Sequence, residues 1–180
     1  MKLSHRLPLA LALATSLALV GCGDADPTEA PTASAAQADD TARRIATMKR
    51  RIAANNARDW NTWESLHTPG AARTAPELGP EPLVTAKAMR AGIEELLVTF
   101  PDYTLTFIEA FGEGERLVVR IHAKGTMLGS MNINGQEIPP TGKVFEQDWV
   151  AVLTFQGELI SAIDEFHDNY GILIQLGLAQ

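Results

Sequence analysis

The residues best suited to chemistry lie near the end of the chain, where Asp164 and Asp168 flank Phe166. Residues two and four apart on an extended strand point to one face, so this spacing sets both carboxylates beside an aromatic ring. Partial burial would raise a carboxyl's pKa toward the range useful for general acid–base chemistry. Three histidines add titratable groups: His67, His122 and His167. His122 shares a face with Arg120 by alternation. That face reads most simply as solvated, and if it lined a pocket instead the two side chains could hold an oxyanion. His167 alternates with Glu165 and Ile163, away from the aspartates unless a bulge turns it. His67 follows Trp63 at helical spacing and could reach the mouth of a pocket, although a helix-terminal histidine often answers the local dipole. Asp168 has a second reading as a helix N-cap.

Metal and nucleotide chemistry find little support. Cys22 is the sole cysteine, no histidine pair has a familiar zinc spacing, and no glycine-rich loop runs from a strand into a helix. Neither a metal nor a cofactor is expected. The formal charge of -7 disfavours nucleic acid and anionic headgroups as partners.

Cys22 has a different role. Lys2 and Arg6 precede a mostly apolar run over 7–20, the order of a secretory signal. The run is too short to be an ordinary spanning helix, which needs roughly 20 apolar residues. It ends in Leu19-Val20-Gly21-Cys22, which resembles a bacterial lipobox. This predicts a signal peptide over 1–21, lipid on Cys22, and an exported cell-envelope lipoprotein. Two or three acyl chains would make that membrane attachment durable. Gly23, where an inner-membrane retention signal would place Asp, favours the outer membrane if the cell is Gram-negative. Residues 23–40 contain no large apolar side chain, so 22–40 is read as the lipidated cysteine and a flexible tether. One domain over 41–180 remains.

Within it, helices precede strands. Ile45, Met48 and Ile52 have amphipathic spacing over 41–56, with basic residues between them. Asp59 caps a short helix carrying Trp60, Trp63 and His67, and Thr85 caps a third with Met89, Ile93, Leu96 and Leu97 inward. The proline-rich stretch between them is read as irregular loop. After Pro101 the period becomes two: 103–111, 116–127, 143–155 and 158–168 read as strands joined by short turns, and a final helix is expected near 170–178. The fold class is α+β: helices on one face of a curved antiparallel sheet of about four strands. Trp149 in the third strand reads as core before ligand platform.

The run Ile138-Pro139-Pro140-Thr141-Gly142-Lys143, the Gln156-Gly157 turn, the acidic last strand and Gly171-Ile172-Leu173-Ile174-Gln175-Leu176-Gly177 resemble the C-terminal half of SnoaL-like polyketide and ester cyclases. Arg120 to Gly129, with Gly125-Thr126, resembles that family's central strand. The resemblance implies a nuclear-transport-factor-2-like cone with an internal pocket, often dimeric through the sheet. It also implies cofactor-independent aldol cyclisation, in which a carboxylate removes a proton next to a carbonyl. The family's acidic position falls on Asp164 when counted from Gly157 and on Asp168 when counted back from Gly171. The one-residue mismatch predicts a bulge around 165–167. Ala151 stands where some cyclases present a polar acid–base residue. The pocket is expected to be lined by Trp63, His67, Trp149, Phe166 and His167, and to take a small apolar or carbonyl-containing molecule. Two functions therefore stand side by side: a cyclase, isomerase or hydrolase acting through Asp164 or Asp168, and a non-catalytic envelope lipoprotein that binds an apolar small molecule.

Overall fold

A computed structural model describes residues 33–133 and 135–179. The signal region and Cys22 lie outside the described residues. The first helix, α1, is Ala33–Ala57, so it begins inside the stretch read as tether. Alanine, glutamine and charged side chains lose little entropy in a helix, and that suffices to extend it eight residues ahead of the expected start at 41. Its inward face carries Met48 and Ile52, and with them Arg44, Arg51 and Asn55, all buried. Basic residues on a helix are ordinarily solvated; here Arg51, three positions after Met48, turns inward with the apolar stripe.

The short helix α2, Trp60–Ser65, starts at Asp59, whose carboxylate accepts from the Thr62 backbone N–H. His67 does not continue it. Strand β1, His67–Thr74, begins there, and a 3-10 turn, Pro76–Leu78, leads to the two-residue strand β2, Leu83–Val84. Helix α3, Ala86–Thr99, is capped by Thr85 as its sequence predicts. The remaining strands are β3, Thr104–Glu113, β4, Arg116–Thr126, β5, Met131–Ile133, β6, Gln136–Ile138, β7, Val144–Gln156, and β8, Leu159–Phe166. Helix α4, Asn169–Leu176, ends on Gly177 in the left-handed conformation, with φ +73°.

The fold is α+β, and the four expected strands are β3, β4, β7 and β8. Two features differ from expectation. The main sheet has six strands in the order β2-β1-β8-β7-β4-β3, and β5 with β6 forms a separate hairpin. The sheet is also mixed, because β1 runs parallel to β8. His-Thr-Pro-Gly-Ala-Ala-Arg-Thr has no strand periodicity of its own, and the edge of β8 supplies what the sequence lacks. The register shifts between His67 and Ala72, which accommodates Pro69 where no ladder hydrogen bond is required.

A second irregularity governs the site. In the β7–β8 pair, Phe155 opposes Ile160 but Thr154 opposes Ala162, so Ser161 is an extra residue. Ile160 and Ile163, an odd number apart, are both buried. Beyond this bulge the inward residues are Ile163, Glu165 and His167 instead of Ala162, Asp164 and Phe166. The opposite face of the sheet carries Arg120, His122 and Asp148. Leu117, Val119, Ile121, Leu153 and Phe155 form the core beneath α1.

Candidate functional site

Between the inner face of the sheet and the helices lies a cavity of about 350 Å³. Most of its wall is apolar: Ile93 and Leu96 from α3, Phe100, Leu105, Phe145 and Trp149. Gly125 permits this approach, since a Cβ there would come within 3.1 Å of Phe100 and 3.2 Å of Phe145. The polar lining includes Arg51 and Asn55 from α1, Arg73 from β1, Glu77, Glu165 from β8 and His167.

Glu165 is the hub. Its Oε2 accepts from Arg73 Nε at 2.9 Å and Nη2 at 2.6 Å, and His167 Nε2 lies 3.1 Å from the same oxygen. Arg73 Nη2 also reaches Glu77 Oε1 at 2.8 Å, while Glu77 Oε2 sits 3.5 Å from His167 Nδ1. Burial by itself would push the Glu165 carboxyl up. The His167 hydrogen bond and the adjacent Arg73 charge outweigh it and hold the group at about 2. An acceptor ionised at neutral pH fixes the His167 ring with its Nε2–H toward Glu165, leaving Nδ1, 3.5 Å from Glu77 Oε2, as the ring's acceptor nitrogen. The ring packs edge-on against Trp149, centroids 4.9 Å apart.

Under this cluster, Arg51 Nε donates to His67 Nε2 at 3.2 Å, and His67 Nδ1 is 2.9 Å from the Trp63 carbonyl. The carbonyl can only accept, so the proton is on Nδ1 and Nε2 is free to accept from Arg51. Burial, then the Arg51 charge, lowers His67 to about 3, so it is neutral in the fold. Burial also lowers Arg51, to about 10, which leaves the guanidinium charged at neutral pH. Tyr103 at the cavity wall is raised, chiefly by burial and then by the Glu165 charge.

Of the residues expected at a site, Trp149 and His167 line the cavity. Trp63 and His67 do not; they are buried below it, with the rings 4.3 Å apart and Arg51 stacked 4.9 Å over the indole. The bulge at Ser161 carries Asp164 and Phe166 to the other face, where Asp164 accepts from Thr74 Oγ1 at 2.7 Å and Phe166 is 59% exposed. Asp168 is exposed and accepts from the Gly171 backbone N–H at 2.8 Å, its capping role. His122 and Arg120 also face outward, both on Asp148, at 2.8 Å and 2.5 Å. Neither is near the cavity because β4 turns its alternate residues, Ile121 and Ala123, inward. Sequence reasoning missed Arg51, Asn55, Arg73, Glu77 and Glu165. The available signal was Arg51 and Asn55 in the helical stripe of Met48 and Ile52.

Glu77, Glu165 and His167 also bring three potential ligand atoms within 4.8 Å of one another. Arg73 already bridges the two carboxylates, so its guanidinium takes the place a cation would need. Among the described residues no helix is long and apolar enough to cross a membrane.

Residues 45–176 match the family model described as SnoaL-like polyketide cyclase. No curated protein matches the chain in sequence. Its fold is similar to that of a SnoaL-like polyketide cyclase, so described, from Jannaschia sp. CCS1, at 18% identity and TM-score 0.67, covering 78% of this chain and 96% of the other. IdmH from Streptomyces antibioticus, described as a polyketide cyclase, is similar at 24% identity and TM-score 0.65, with 74% and 98% covered. TsrD from Streptomyces laurentii is similar at 26% identity and TM-score 0.64, with 76% and 96% covered.

Proposed function

Since the chain belongs to the SnoaL-like polyketide cyclase family, we propose that its cavity performs cofactor-independent proton transfer next to a carbonyl, as in aldol cyclisation or isomerisation. The base in this reading is His167, not Asp164 or Asp168. The observation that carries it is a histidine oriented by a buried, ionised carboxylate at the wall of a largely apolar cavity.

The ring's Nδ1 takes the proton from the carbon, and the C–H electron pair moves onto the carbonyl oxygen as an enolate. The imidazolium that forms lies between Glu165 and Glu77, whose charges stabilise it. The guanidinium groups of Arg51 and Arg73 supply positive potential to the enolate. Apolar walls exclude water and strengthen each of these interactions. Glu165 itself, held at about 2, is too weak a base for the task. Its work is to orient His167.

The test is exchange of α-protons for deuterium in a set of apolar cyclic ketones and diketones, followed by NMR. Wild type should exceed background, and His167→Ala should lose about 10²-fold or more, the span of a general base. Exchange at the background rate by wild type, with the same ketones still bound, would leave the non-catalytic small-molecule carrier in its place.

We further propose that the domain is exported and held at a membrane by lipid on Cys22, on the strength of the Leu19-Val20-Gly21-Cys22 box. Metabolic labelling with an alkyne fatty acid in the producing cell should mark wild type and not Cys22→Ser. Equal labelling of both would exclude it.

A further inference from the structure

We propose that Arg51 and Asn55 form an anion-recognition end of the cavity, so that its ligand is an apolar molecule carrying one anionic oxygen group, a carboxylate or an ionised enol. This deepens the reading of the cavity as a small-molecule site and rests on it.

Both side chains hold donors with no acceptor among the described residues. Arg51 is 4% exposed and lines the cavity, yet among the described residues only its Nε has a hydrogen-bond partner, the neutral His67. A guanidinium has five N–H groups, and four belong to the Nη atoms. Asn55, one helical turn further along α1, is 2% exposed and also lines the cavity, and among the described residues its buried Nδ2 is likewise without a partner. Residues four apart on a helix are neighbours on one face, so the two sets of donors stand side by side.

Charge points the same way. Arg73, the other guanidinium of the cavity, is ion-paired with Glu165 and Glu77. Arg51 is ion-paired with none of the described carboxylates. The Glu165 carboxylate favours the charged form of Arg51 from beyond ion-pair distance, but it is already engaged by Arg73 and His167, and a buried cation without a direct ion pair is costly to keep. The cation–π contact with Trp63 satisfies the face of the guanidinium and leaves its edge unmet. Arg44, also buried and without an ion pair among the described residues, donates Nη1 to the Gly114 carbonyl and leaves its Nε without a partner, but it does not line the cavity, so only at Arg51 and Asn55 can a ligand reach the unmet donors. What completes Arg51 and Asn55 is an acceptor with negative charge, entering with the ligand. The apolar walls formed by Ile93, Leu96, Phe100 and Phe145 specify the rest of that ligand.

The experiment is calorimetric titration of the full chain in a non-ionic detergent, with detergent-only titrations subtracted. The probes are pairs of two-ring aromatic compounds, each a carboxylate and its neutral primary amide. Wild type should bind a carboxylate roughly tenfold or more tighter than its amide, as expected for a charge-assisted bond to a buried partner. Arg51→Met should erase that preference. Asn55→Asp places a carboxylate beside Arg51 and should erase it as well, which keeps the test available if Arg51→Met does not fold. Equal affinity for both probes in wild type, or a preference that survives in either folded variant, overturns the anion assignment and leaves the cavity reading standing. Binding of neither probe overturns both.

Discussion

Removing the Arg73 side chain's charge, as in Arg73→Met, tests how the polar cluster is held. The variant would leave the Glu165 carboxylate, 5% exposed, facing only His167 and the more distant Arg51. In the intact protein the group is held at about 2 against an ordinary 4.5. Each tenfold change in an ionisation equilibrium corresponds to about 1.4 kcal/mol, so the native environment favours the ionised form by about 3 kcal/mol. Breaking a buried pair by removing one partner costs about 3–5 kcal/mol, which agrees. Glu165→Gln should cost less, because Arg73 keeps Glu77. The double variant should be no less stable than Arg73→Met alone, since the stranded carboxylate is gone. Urea unfolding at pH 7, followed by tryptophan fluorescence, gives all four stabilities of the cycle. In a domain of this size a loss of about 3 kcal/mol lowers Tm by roughly 6–12 °C. Because the folded pKa is depressed, the stabilisation is present above pH 4.5 and is lost as pH falls toward 2. Additive effects of the two substitutions, or a cost below about 1 kcal/mol for Arg73→Met, would refute the buried ion pair as the support of the cluster.

His67 should dominate the stability profile at higher pH. Its folded pKa, about 3, lies below the ordinary 6.5, so the unfolded chain binds the proton first and stability falls as pH drops through 6.5 toward 3. The whole of that difference sets an upper bound of about 5 kcal/mol, and His67→Phe should flatten that part of the curve; an unchanged slope would contradict a neutral, buried His67. At the start of α4, Asp168→Ala should cost about 1 kcal/mol for the lost cap while Asp168→Asn retains it, with proton exchange by the domain unchanged in both. Loss of exchange in the well-folded Asn variant would return Asp168 to the catalytic candidates.

The sequence alone determined what depends on neighbours along the chain. Asp59 and Thr85 cap α2 and α3 because a cap needs only a side-chain oxygen three residues before a backbone N–H. The four long strands and α4 were legible for the same reason, through alternation, Gly157 at a turn and Asp168 before a helix. The family was legible in the order of its motifs. Tertiary structure decided everything that depends on pairing across the chain. Strand β1 exists because β8 offers it an edge, although its own residues include Pro69 and Gly70. Strand alternation carries a face assignment only as far as the register is unbroken, and one extra residue at Ser161 exchanged Asp164 and Phe166 for Glu165 and His167. The inward turn of Arg51 was decided the same way, by the burial of α1 against the sheet, which no count of charges along the helix contains.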